Sequence, residues 1–210
     1  MKFLLAIASF VAVSGCSTTL QVYSAPEHET RNLTQQDLRD GGIAFLTPST
    51  VTGQEEDKQA LAYVFAATLK SRRPDVKLVP LSETIGAVNR AGLAESYRTM
   101  YHDYRDTAVF DGRTMRQVAQ AAGARYLAQL KLANTQQGAR GRWSFLGLTI
   151  LNTQYANMRL FMQVWDSRDG SIAWEGADEV TLAMDTGLEQ PIAFRAVAER
   201  AAQDLIGRLP

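Results

Sequence analysis

The chain has 210 residues, with 22 basic and 22 acidic side chains, 46% hydrophobic residues and a single cysteine. A formal charge of zero argues against a general nucleic-acid or anionic-lipid binder, and one cysteine excludes an internal disulfide framework. Without the first 15 residues, 195 remain with 21 basic and 22 acidic side chains, a net charge of −1, and that length suits one domain with a substantial core.

Met1-Lys2 forms a small positive start, and residues 3–13 form an apolar stretch of the length of a cleaved secretory signal, too short to stay in a bilayer as a helix. It runs into Val13-Ser14-Gly15-Cys16, which resembles the lipobox of bacterial lipoproteins. The resemblance implies a diacylglyceryl group on the Cys16 thiol, cleavage before Cys16, and acylation of the new amino terminus by a palmitate-type chain. Ser17, standing where an Asp would retain the protein elsewhere, implies sorting to the outer membrane, with the chain on its periplasmic side. The competing readings are an ordinary signal peptide with a chance cysteine near the cut and a short buried first helix. Each acyl CH2 adds roughly 0.8 kcal/mol of membrane affinity, so two or more chains hold firmly where one is marginal. No later apolar run reaches the roughly 18 residues of a membrane span, which leaves the lipid as the expected membrane anchor.

Residues 16–40 are rich in Ser, Thr, Gln, Asn and charge, and read as a lipidated flexible tether whose ordering entropy burial cannot offset. His28, between Glu27 and Glu29, reads as part of that solvated segment rather than as a metal ligand. A periplasmic domain over 41–210 then opens on the Gly-bounded apolar run 41–48, a buried strand. Residues 55–73 carry Leu61, Val64, Phe65, Thr68 and Leu69 at helical spacing, with acidic residues first and Lys70, Arg72 and Arg73 last, as the helix dipole favours. Residues 76–79 read as a second strand, so a right-handed crossover into a parallel pair is expected. Ser82 is expected to cap a helix running to Ala91, with Gly92 as its interruption.

The next helix, 94–107, brings Tyr97, Tyr101 and Tyr104 to one face. Two readings stand: an aromatic platform for a small molecule or saccharide, or amphipathic packing with hydroxyls at the rim. His102 has Asp103 and Asp106 nearby but no second His or Cys at ligand spacing, so no metal is expected. Asp111-Gly112 makes a turn, 114–122 a short helix with Met115, Val118 and Ala119 inward, and Gly123 its stop. Residues 125–132 and 157–165 alternate as strands, 166–170 form a turn, Ile172-Ala173-Trp174 starts a return strand, and 191–209 form an amphipathic helix. The fold class is α/β: a mixed sheet with helices packed against it.

Residues 136–153 read as a loop of unusual content. Arg140 and Arg142 are followed by Trp143, Phe145, Leu146, Leu148, Ile150 and Leu151. Either part of it is a strand with ordinary core burial, or it is an exposed apolar patch rimmed by arginine, the composition of a protein interface or of a loop that dips into lipid. On the second reading Arg140, Arg142, Trp143, Phe145, Leu146 and Leu148 are the partner-binding residues.

Gly123-Ala124-Arg125, the Asp166…Gly170 turn and Ile172 to Trp174 follow the punctuation of a known superfamily, and the chain resembles it over about 165 residues. The superfamily comprises periplasmic domains of the curli-export lipoproteins, the amino-terminal domain of the translocation protein TolB, and the lipoprotein activators of peptidoglycan synthases. The resemblance implies their fold and carries no catalytic signature. The chain has no G-x-S-x-G, phosphate-cradling glycine loop, H-E-x-x-H or Cys-His partnership. With two histidines and no cofactor motif, the expectation is a non-enzymatic protein that docks on an envelope partner and binds no cofactor or nucleic acid. The alternatives are a subunit of an oligomeric export or envelope-assembly complex, and a small-molecule or glycan binder.

Overall fold

A computed structural model describes residues 20–145, 148–186 and 191–210, with backbone alone for 141–145, 148–151 and 186. The signal segment 1–15, Cys16 and Leu146 lie outside the described residues. The strands are β1 (Leu20–Ser24), β2 (Glu27–Thr30), β3 (Ile43–Phe45), β4 (Ser49–Thr50), β5 (Leu78–Val79), β6 (Tyr126–Phe145), β7 (Leu148–Asp166) and β8 (Ile172–Thr186). They form one mixed sheet in the order β1-β8-β7-β6-β3-β5, with β2 also on β8 and β4 also on β6. β3 runs parallel to β5 and β6, whereas β6, β7, β8 and β1 are antiparallel in succession.

Helices cover both faces, as expected of an α/β domain with a parallel section. On one face α2 (Glu55–Arg72) and α6 (Phe194–Ile206) bury Leu61, Phe65, Leu69, Val197, Ala201 and Leu205 against Tyr126, Ala128, Leu130 and Trp174. On the other, α3 (Leu81–Arg90), α4 (Ala94–Thr107) and α5 (Gly112–Ala122) bury Val88, Met100 and Val118 against Leu127 and Trp165. The α2 crossover and the parallel β3–β5 pair, Ile43 opposite Leu78, are as the sequence predicts. So is α5, where the Asp111 carboxylate accepts from the Thr114 N–H at 2.8 Å and Gly123 ends the helix at φ 69°. The expected Ser82 cap is corrected: Pro80 occupies the cap position with φ −67° and Ser82 falls inside α3. Proline's fixed φ starts a helix without a side-chain cap.

The tether expectation is also corrected for residues 20–40. β1 and β2 pair with β8 from Leu20↔Met184 to Thr30↔Trp174. A short helix, α1 (Gln35–Gly41), follows with a capping box between Thr34 and Asp37 and buries Leu38 completely. The composition is polar because most of these side chains are exposed. Backbone hydrogen bonds to the β8 edge, which composition does not report, supply the order.

β7 and β8 extend well past the expected 157–165 and 172–174. The inward face of β8 includes Gly176 and Asp178 between Trp174 and Val180, which breaks the apolar alternation. Gly176 is there because the Trp174 ring lies over it: a Cβ would come within 2.6 Å of Trp174 Cη2.

Asp178, 1% exposed, ties β1 to this core. The Ser24 hydroxyl lies 3.1 Å from Asp178 Oδ1 and 2.8 Å from Asp204 Oδ2 on α6, and Arg200 Nε donates to Asp204 at 2.6 Å. One hydroxyl proton cannot serve two carboxylates at once. Burial, and secondarily the Asp204 charge, push the Asp178 carboxyl above the ordinary aspartate range, despite the Ser24 hydrogen bond. A raised folded-state pKa means that the native state holds the extra proton, so stability from this group is present at acid pH and is lost as pH rises from the ordinary aspartate range through the folded value. Asp178→Asn is therefore expected to melt at or above wild type at pH 7, with the difference shrinking toward pH 4. A variant that is less stable at pH 7 and unchanged at pH 4 would show an ionised, stabilising Asp178 instead.

Candidate docking surface at the β6–β7 arm

The long hairpin stands on a fixed base. Arg125 Nε lies 3.2 and 3.1 Å from the two Asp166 oxygens, and its Nη1 donates to Asp37 on α1 at 3.2 Å. Asp166 also accepts from the Arg168 N–H at 3.0 Å inside the β7–β8 turn, where Gly170 takes φ 80°. The hydrogen bond that Arg125 donates to Asp166, with the Asp166 charge, raises the Arg125 pKa, and the Thr34 hydrogen bond, helped by Arg125, holds the Asp37 carboxyl below its usual range. The Gly-Ala-Arg and Asp-x-x-x-Gly signatures thus meet as one ion-paired corner with a structural role.

From that base β6 and β7 pair continuously, Tyr126↔Asp166 to Phe145↔Leu148, with irregularities at Leu132/Asn134 and around Trp143. The loop expectation for 136–153 is corrected at the level of the backbone, since both flanks of the tip are strand. Within the described residues β8 accompanies β7 to Thr186↔Asn152. The sequence missed the device that holds the middle of the arm together. Tyr155 lies across from Gly138, where a Cβ would collide with its ring and hydroxyl oxygen, and Arg140 stands over the Tyr155 ring at 5.7 Å. Only glycine leaves room for that ring, so Gly138 serves close approach rather than loop mobility. Asn157 Nδ2 donates to Thr181 Oγ1 at 2.9 Å and Thr153 Oγ1 to Asp185 Oδ1 at 2.5 Å, tying the third strand on.

Of the expected partner-binding residues, Arg140 is an exposed side chain on the arm, and Arg142, Trp143, Phe145 and Leu148 have their backbones in the strands that close it. Leu146 lies outside the described residues.

Of the two readings of the tyrosines, the structure shows the packing one. Tyr97 and Tyr104 are buried, and all three hydroxyls have partners within the domain. Tyr97 donates to Thr47 Oγ1 at 3.0 Å, Tyr101 to the Pro48 carbonyl at 2.7 Å and Tyr104 to Gln163 Oε1 at 3.1 Å. Tyr104 stacks on Phe110 with centroids 4.1 Å apart. A cleft of ≈ 940 Å³ lies elsewhere, between α2 and α3, lined among others by Gln59, Tyr63, Leu81, Ile85 and Arg195. His28 stands beside the Trp174 ring, centroids 6.4 Å apart, and no group of three metal-ligating side chains occurs among the described residues.

No known family profile and no curated protein matches the chain. Solved structures similar to it include the PelC dodecamer from Paraburkholderia phytofirmans, at 13% identity and a TM-score of 0.49, covering 89% of this chain and 97% of that one. Lipoprotein GNA1162 from Neisseria meningitidis is similar at 10% identity and a TM-score of 0.40, covering 80% of this chain and 96% of that one.

Proposed function

We propose that the chain is a non-enzymatic outer-membrane lipoprotein, held on the periplasmic side by acylated Cys16, whose α/β domain docks on an envelope partner through the end of the β6–β7 arm. The observation that carries this reading is the arm itself. β6 and β7 pair out to Phe145↔Leu148, and the sequence at that end is arginine followed by aromatic and aliphatic residues. Arginine beside tryptophan is the composition of a docking surface rather than of a catalytic one. The lipobox-like run at Cys16 and the resemblance to the superfamily of curli-export, TolB and synthase-activator domains support an envelope role.

The anchor is tested by mass spectrometry of the mature amino terminus, which is expected to show diacyl or triacyl mass on Cys16 and none in Cys16→Ser. An unmodified Cys16, or cleavage elsewhere, would remove the anchor from the reading.

A second reading, a subunit of an oligomeric assembly, has one observation in its favour. β1 closes one edge of the sheet, and Leu20, Val22 and Tyr23 are 52%, 43% and 65% exposed there. An apolar edge strand whose outer side has no partner among the described residues is a ready site for another chain. Gel filtration of the purified protein separates the readings, since an assembly elutes far above a monomer.

A further inference from the structure

We infer that the cleft between α2 and α3 is a binding site for a small amphipathic cation, a molecule with an apolar body at one end and an ammonium group at the other. The site is separate from the arm and from the Cys16 anchor. Topology puts it where an α/β sheet opens. The strand order β6-β3-β5 places β3 in the middle. The connection from β3 to β5 crosses one face through α2, and the connection from β5 to β6 returns over the other face through α3, α4 and α5. The two crossovers part outside the carboxyl ends of β3 and β5, the crevice in which open α/β sheets take their ligands. Residues of the cleft come from that place. Thr47 stands two residues past Phe45, the last of β3, and Pro80 directly follows Val79, the last of β5. At ≈ 940 Å³ the cleft has the size of a small-molecule site.

The tyrosine packing fixes its inner wall. The Thr47 N–H donates to the Tyr97 hydroxyl oxygen at 2.9 Å, that hydroxyl donates to Thr47 Oγ1 at 3.0 Å, and Gln129 Nε2 donates to the Thr47 carbonyl at 3.2 Å. Thr47 is held in place with its own hydroxyl proton left to donate. Ala62, Val64 and Ala66 supply buried apolar surface from α2, and the half-buried Leu81 and Ile85 supply it from α3.

The α2 wall changes character along its length. Glu56, Gln59, Ala60 and Tyr63 line the cleft at i, i+3, i+4 and i+7, one stripe of the helix. Seven residues at the rise of a helix set Glu56 and Tyr63 about 10 Å apart. At the Tyr63 end the ring is 66% exposed, Arg195 stands over it at 5.8 Å, and Glu199 meets the Arg195 guanidinium at 2.6 Å. An apolar body covers that ring favourably, whereas a cation there would meet Arg195. At the other end Glu55 lies 3.5 Å from Lys58, and Glu56 has no ion-pair partner among the described residues. An acidic first turn by itself suits the α2 dipole. Here the same carboxylates border an apolar cleft, and that combination selects a cation whose apolar part reaches Tyr63.

The probe is dansylcadaverine, an apolar fluorescent ring system joined by a pentyl chain to a primary ammonium. It is titrated against the mature chain carrying Cys16→Ser, so that no detergent micelle competes for it. Binding is expected to raise the emission and move it to shorter wavelength. N-pentyl dansylamide, which keeps the ring and chain without the ammonium, is expected to bind about tenfold more weakly. Glu56→Gln is expected to weaken dansylcadaverine about fivefold and to leave the uncharged probe unchanged. Tyr63→Ala is expected to weaken both probes about fivefold. Both side chains are exposed, so both variants are expected to melt with wild type. Equal affinity for the two probes, or wild-type binding of dansylcadaverine by Glu56→Gln, would overturn the cationic class. No change in emission with either probe, or binding that Tyr63→Ala leaves intact, would overturn the site. Neither result bears on acylation of Cys16 or on capture through the arm, so failure here leaves the docking reading standing.

Discussion

Trp174→Ala is expected to destabilise the domain by about 3–5 kcal/mol, the range for truncating a large buried aromatic. Its side chain is fully buried in the core shared with α6, and its ring covers Gly176 with almost no clearance. Trp174 Nε1 has no hydrogen-bond partner among the described residues, so the loss is one of packing and burial rather than of a polar contact. The cavity cannot collapse readily, because the glycine beneath has no side chain to fill it. Trp174 is also the β8 partner of Thr30 and stands beside His28, so its removal should loosen β2 before the rest of the sheet. Phe65→Ala, on α2 and equally buried, should cost a similar amount without that local effect. For a domain of this size the shift in melting temperature is on the order of 10 °C. Melting within a degree or two of wild type in both variants would contradict the packing described above.

Phe65 and Trp174 were legible because each lies in an uninterrupted apolar pattern, one at helical spacing and one in an Ile-Ala-Trp run after a turn. The fold class, the parallel pair and α5 with its Asp111 start and Gly123 stop were legible for the same reason: periodicity and punctuation are local. What was hidden depends on partners far away in sequence. Residues 20–30 read as a tether since their order comes from hydrogen bonds to the β8 edge, far downstream in sequence, as in Leu20↔Met184. The distal half of β8 was hidden because Gly176 and Asp178 occupy inward positions, one to admit a ring and the other to hold Ser24. The arm was hidden because Gly138 reads as a loop residue until Tyr155 is placed opposite it. For the proposed site, composition marked the segment, but only register shows that it shares an end of the sheet with the start of β1.

The double change Trp143→Ser with Leu146→Ser should leave the melting temperature nearly unchanged while abolishing attachment of the arm. The two outcomes are linked by position. The Trp143 backbone lies far along the arm, opposite Leu151, and the core cluster of α2 and α6 is built from other residues, so the substitution should scarcely disturb that core. Surface substitutions away from packing features usually change stability by less than about 0.5 kcal/mol. A buried aromatic at the centre of a docking surface, by contrast, often contributes about 2 kcal/mol or more, roughly thirtyfold or more in affinity. The measurement pairs a thermal melt with attachment per folded molecule, to vesicles and to detergent-solubilised envelope proteins. Loss in the vesicle arm alone assigns the tip to lipid, and loss in the solubilised arm assigns it to a protein. A large fall in melting temperature with unchanged attachment would return Trp143 and Leu146 to the core and end the docking assignment, since residues that hold the fold together cannot at the same time be free to bind.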